Sequence, residues 1–289
     1  MDALLLAALS GVLFGALAVA QRWGLDRSPD REAATVVTCA VGLVIALAAT
    51  ALAGDTHQLV KTDIWPYLVA GLLAPGTSQL YFVYAVGAIG AARSSTLIAT
   101  SPLIAALPAF LILDEPFHIA LPVGATLIVA GAVLLSGERT MPAGFRRIGI
   151  AYAIGSAAVI AARDNLVRSF AEHDHVAGLA AGTASLGAAT VLLLVYLVAH
   201  RGRGAPRALS VTFRPFVPAG VLLGLAYCAN LEALTRGRVT IVSPFYGTEA
   251  LWALVLTYLV LGRHERIGAR VVVAATLMVS GATLIGAFQ

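Results

Sequence analysis

Charge is the first thing this chain has little of. Only 12% of its 289 residues are Asp, Glu, Lys or Arg, while 59% are hydrophobic, and the mean hydropathy is +0.88. Soluble domains carry about 25% charged residues. The composition therefore excludes an ordinary soluble domain and implies an integral membrane protein. Lysine is nearly missing: Lys61 stands alone, and the other basic residues are arginines at the ends of apolar runs. That placement suits topology and headgroup contact and leaves no basic stripe for nucleic acid. Cysteine is confined to Cys39 and Cys228, each inside an apolar run and without a CxxC partner, so both read as small packing residues. Strand-like alternation is lacking in the apolar runs, which excludes an outer-membrane barrel and leaves helices. Enzyme motifs are lacking as well. There is no GxSxG elbow, no HExxH, no GxxxxGKS/T loop and no pair of buried acids at protease spacing. His173 and His175 have no third ligand nearby, so no metal site and no cofactor is expected.

What is present is a series of apolar runs about 20 residues long, each able to cross the roughly 30 Å hydrocarbon layer as a helix. Ten can be marked, near residues 3–21, 33–53, 64–88, 94–113, 118–136, 148–168, 176–199, 214–235, 240–261 and 267–287. The first follows Asp2 without a basic flank and reads as a span, not a cleaved signal. Connections are short, which leaves no room for a soluble domain and places any chemistry between helices.

Internal duplication is visible in the fifth and tenth runs. Residues 124–135, GATLIVAGAVLL, match residues 274–285, AATLMVSGATLI, at a shift of 150 with seven identities in twelve; Glu115 and Glu265 precede them at the same shift. The expected fold is all-α, with repeats over residues 1–140 and 141–289. A repeat of five spans is odd-numbered, so the second copy enters the bilayer from the opposite side. Inverted repeats of this kind place a substrate site at the bilayer midplane.

Glu249 lies in the middle of the ninth run, TIVSPFYGTEALWALVLTYLVL. An acid at that depth costs at least ~2.5 kcal/mol, so it should face other helices or a wet cavity. Either it is a functional group, binding a proton or a substrate amine, or it is a protonated Glu hydrogen-bonding between helices. Aligned on this run, the fourth sets Ser101 opposite Glu249 and carries Pro102, where an opened backbone can bind ligand. Gln79, Tyr81 and Tyr84 in the third run and Tyr227 and Asn230 in the eighth occupy comparable places in the two copies. Residues three apart share a helix face, and aromatic rings beside an amide suit a small organic solute. Trp252, one turn beyond Glu249, is a candidate wall of the same cavity. Arg163 and Asp164, late in the sixth run, form either a gate pair or a pair that snorkels to headgroups.

Orientation can be counted. Fourteen arginines flank the loops after runs 1, 3, 5, 7 and 9, against four arginines and Lys61 on the opposite face. The excess places the first set inside and both termini outside.

Ten short-looped runs, LDE and LGRHE closing the fourth and ninth, and the repeat-closing GATLIVAGAVLL and AATLMVSGATLI together resemble the drug/metabolite transporter superfamily, in its EamA-type branch. The resemblance covers essentially the whole chain. It implies a bacterial inner-membrane, multi-pass carrier, often an exporter of amino acids or related metabolites, with a cavity lined by spans 1, 3, 4, 6, 8 and 9. Pro102 matches the family's proline in the fourth span, and Glu249 falls at the corresponding place in the ninth. The ninth run departs from the family by closing with LGRHE where LGE is usual. The family also implies cytoplasmic termini, which conflicts with the arginine count.

Two functional expectations follow. One is a secondary active transporter of a small polar or amphipathic metabolite, working in the bilayer as monomer or homodimer by alternating access, with a proton as candidate coupling ion. The other is a non-transporting membrane subunit, or part of a flippase for a lipid-linked substrate, which predicts a groove open to lipid. An intramembrane enzyme has no constellation to support it.

Overall fold

A computed structural model describes residues 3–101, 104, 120–136, 146–171, 176–236, 248–260 and 268–287. Its main elements are α1 (Ala3–Leu25), α2 (Arg31–Ala53), α3 (Trp65–Gly71), α4 (Ser78–Ile89), α5 (Ala91–Ile98), α6 (Ala120–Ser136), α7 (Ile148–Ala171), α8 (Gly178–Arg201), α9 (Ala205–Arg236), α10 (Glu249–Val260) and α11 (Ala269–Ala287). Short 3-10 turns make up the rest, apart from one π turn; the described residues contain no strand. Among the described residues five helical stretches are long and apolar enough to cross a membrane, the last of them, Gly178–Leu234, containing both α8 and most of α9.

Local sequence explains where the helices start and stop. The Asp30 side chain caps α2 by accepting from the Ala33 N–H, which satisfies one of the donors orphaned at a helix start. Gly54 ends it in the left-handed conformation (φ 81°), and its N–H bonds back to Ala51 and Thr50, a stop that glycine alone adopts without strain. Between α3 and α4 the backbone widens into a π turn, Leu72–Thr77, around Pro75.

Large apolar side chains point outward along the helices: Val44 and Leu47 on α2, Val191 and Val195 on α8, Tyr258 and Leu259 on α10. In water such a surface would be an aggregation patch; in a bilayer it faces acyl chains. The interior is rich in alanine, as expected where helix association rests on close packing. α2 crosses α9 at glycines on both sides, since a Cβ on Gly224 would lie 2.6 Å from the Gly42 carbonyl oxygen.

α6 and α11, which carry the two matching segments, pack against each other. A Cβ on Gly131 would strike Met278 and the Ala274 carbonyl; a Cβ on Gly281 would strike Ile128 and the Gly124 carbonyl. Each member of the first set is related to the second by the shift of 150. The contact therefore maps onto itself when the two segments are exchanged, and the two helices run antiparallel.

One end of the bundle gathers the N-termini of α2 and α7 and the C-termini of α4 and α8. There the Arg201 guanidinium meets Glu32 at 3.0 Å and Asp30 at 3.3 Å, Arg31 lies over the Tyr84 ring and against Gly87, and the Arg146 N–H donates to the Ala88 carbonyl. Arg93 belongs to the same end in sequence. It does not reach headgroups as the end-of-run placement suggested, being only 2% exposed in the first turn of α5.

Candidate functional site

α1, α4, α5, α7, α9 and α10 surround one cavity. It offers about 70 Å³ to the centres of water-sized molecules, several times what a single water requires. Each helix contributes one face. Phe14 and Leu17 come from α1, Ser78, Gln79 and Phe82 from α4, and Ile98 from the end of α5 with Ala99 and Ser101 just beyond it. Ser156, Ile160 and Arg163 come from α7, Leu223, Tyr227 and Asn230 from α9, and Glu249 from the first turn of α10. α5 stops at Ile98 and the chain turns through Ala99 and Thr100, so an interrupted helix borders the space on one side while the start of α10 borders it on another.

The walls are apolar and the polar groups few, as in sites for small organic solutes. Phe14 meets Tyr227 edge-on, with ring centroids 5.9 Å apart. Arg163 is 7% exposed, bonds Asp164 at 3.1 Å and sits 5.6 Å from the Tyr227 ring centroid. Burial in the lining replaces the snorkelling alternative, and Asp164 moderates a charge that would otherwise be very expensive to hold there. Glu249 makes no hydrogen bond or ion pair among the described residues, so the interhelical bond that its structural alternative requires is not among the described contacts. The Gln79 amide nitrogen is buried and also lacks a partner among the described residues. Ser156 is satisfied by the Ser78 carbonyl at 3.0 Å.

Of the residues singled out from sequence, Glu249, Ser101, Gln79, Tyr227, Asn230 and Arg163 line this cavity. Four others do not. Tyr81 and Tyr84 stand on the far flank of α4, against Tyr152 of α7 at 6.2 and 5.2 Å between ring centroids. Gln79 and Tyr81 are two residues apart in the regular helix Ser78–Ile89, about 200° around its axis, so the face that brings Gln79 and Phe82 to the cavity turns Tyr81 and Tyr84 away. Trp252 is 41% exposed with its Cβ against Gly15, because the buried stripe of α10 runs through Ala250, Ala253 and Thr257. Asp164 backs Arg163 without reaching the lining. Pro102 lies outside the described residues, as do His173 and His175. Phe14, Phe82, Ser78 and Ser156 went unread in the sequence, since a lone Phe or Ser in an apolar span carries no distinguishing pattern.

A largely apolar cavity with a few polar groups, enclosed by apolar helices long enough to cross a bilayer, defines the class as a multi-pass membrane protein. Residues 1–137 and 147–287 match the EamA-like transporter family, and the chain belongs to that family, within the drug/metabolite transporter superfamily. A solved crystal structure, 22% identical, matches with a TM-score of 0.69 over 98% of this chain and 94% of its own length; at that identity it speaks to the fold. No curated protein sequence matches the chain.

Proposed function

We propose that this protein is a secondary active transporter, and that it exports a small zwitterionic metabolite of the amino-acid class across the bacterial inner membrane by alternating access. The observation that carries this reading is the pairing of charges in one cavity: Arg163 to hold a carboxylate and Glu249 to hold an ammonium group or a coupling proton. Gln79 and Asn230 orient the solute, and Tyr227 with Phe14 supplies contact area. Ten spans in two inverted five-helix repeats, over residues 1–140 and 141–289, are the architecture this reading needs. The self-mapping contact of α6 with α11 supports it. The carrier acts as a monomer or homodimer, since one chain encloses the cavity.

The test begins with a panel of metabolites screened for thermal stabilisation of the purified protein, because a ligand of the folded state raises its melting point by mass action. The solute selected is then followed into proteoliposomes. Flux driven by a pH gradient is expected; stabilisation without flux contradicts the transporter reading.

A second reading, a non-transporting subunit for a lipid-linked substrate, has one observation in its favour. An apolar recess of about 320 Å³ lies between α1, α9 and α10, lined by Ala16, Val19, Ala20, Trp23, Leu256 and Val260 among others. Acyl chains fit such a recess, but no polar group in it would hold a headgroup.

A further inference from the structure

Three fully buried polar side chains are not explained by the cavity. Gln21 on α1, Ser95 on α5 and Thr257 on α10 are each 0% exposed. Both amide atoms of Gln21 and both hydroxyls lack hydrogen-bond partners among the described residues. The neighbours of Ser95 behave otherwise: Ser94 and Thr96 donate to the Gly90 and Ala92 carbonyls at 2.7 Å. Buried polar groups are nearly always paired, and an unpaired one costs free energy that a neutral apolar residue would not. Three from three helices at one place require a reason.

Packing places them together. α1 and α10 run parallel, because Gly15 abuts Glu249, Trp252 and Ala253 while Ala20 and Trp23 border a recess with Leu256 and Val260. Gln21 is thus level with Thr257. α5 packs against α10, with Ala99 in one cluster with Ala250 and Leu97 in a second cluster that Leu254 packs against, the order expected of antiparallel helices. Ser95 then falls at about the height of residues 254 to 256, on the side of the cavity where Gln21 and Thr257 lie. Each lies on the inward stripe of its helix. Gln21 continues the stripe of Phe14 and Leu17, Ser95 that of Ile98 and Ala99, and Thr257 that of Ala250 and Ala253.

We propose that Gln21, Ser95 and Thr257 form the closed half of the solute path, a polar station between the cavity and the arginine-rich end of the bundle. The station rests on the transporter reading above. In the conformation described here its three side chains are closed off from solvent. When that end opens, the amide and the two hydroxyls hydrogen-bond to water and to the passing solute, a small polar molecule of the class held in the cavity. Residues that served only helix packing would satisfy one another or a carbonyl one turn earlier, as Ser94 and Thr96 do with Gly90 and Ala92.

The test uses single cysteines in a Cys39→Ala/Cys228→Ala background, in right-side-out and everted membrane vesicles, with a charged, membrane-impermeant methanethiosulfonate as probe. Gln21→Cys, Ser95→Cys and Thr257→Cys are compared with Ser156→Cys in the cavity and Val195→Cys on the lipid face. The station thiols should react from the arginine-rich side at least tenfold faster than Val195→Cys. Ser156→Cys reactive, with all three station thiols as slow as Val195→Cys from both sides, overturns the station and leaves the transporter reading standing. A Ser156→Cys that is also silent from both sides removes the transporter reading itself. Ser95→Ala and Thr257→Val serve as folding controls. An unchanged or raised melting point agrees with the station, whereas a fall of more than about 5 °C in both shows that the hydroxyls hold the helices together and overturns it. Three positions on three helices keep the test decisive if one variant fails to fold.

Discussion

α4 and α9 each offer the cavity an aromatic ring and an amide three residues apart, in opposite order: Gln79 then Phe82 on α4, Tyr227 then Asn230 on α9. The faces differ in how they are set. α9 is a continuous helix from Ala205 to Arg236, so a pair read at helical spacing stays on one face. α4 follows the π turn at Leu72–Thr77, and the tyrosines that match Tyr227 and Asn230 by position turn away toward Tyr152 and Arg31. On α4 the rotation of the helix about its own axis decides which side chains a solute meets, and composition and hydropathy do not record it.

Substitutions on the two helices should separate accordingly. Tyr227→Ala is expected to have the largest effect, since it removes a buried ring that touches both Phe14 and Arg163. We expect about 3 kcal/mol of stability lost, read as a lower melting point, together with the solute-induced thermal shift. Next, Asn230→Ala and Gln79→Ala should each weaken solute binding about tenfold, as for one lost hydrogen bond of about 1.4 kcal/mol. The ligand-free melting point should barely move in Gln79→Ala, because the amide nitrogen already lacks a partner among the described residues. Tyr84→Leu should change affinity less than twofold while costing about 1 kcal/mol of packing against Tyr152. A Tyr84 variant that lost binding as Asn230→Ala does would erase the contrast between the two helices. Smallest of all, Arg201→Ala should leave the melting point nearly unchanged, most of all at high salt, because its ion pairs with Asp30 and Glu32 lie at the surface.

The membrane class and several of the residues that meet at the cavity are legible in the sequence alone. Unbroken apolar runs imply helices because lipid leaves backbone groups no other partner. An acid, an arginine and two amides in such runs stand out against a background that excludes them, and Glu249, Arg163, Gln79 and Asn230 do meet at one cavity. Facing direction was less legible. Trp252 and Glu249 are three residues apart, yet Ala253 and Thr257 define the buried stripe and turn the indole outward. Arg93 reads as a loop residue until packing around α5 is known. Ser95 and Thr96 look alike in sequence, and only the helix shows that Thr96 donates to the Ala92 carbonyl while the Ser95 hydroxyl has no partner among the described residues.

The central claim is that Glu249 borders a chamber that binds a solute and contributes directly to that binding. The most direct measurement is the thermal shift given by the solute from the metabolite panel, compared between the native protein and Glu249→Gln over a range of concentrations. Because Glu249 has no partner among the described residues, the variant without solute should melt at or above the native temperature, and at least tenfold more solute should be needed for the same shift. Identical titration curves for the two proteins would contradict the account.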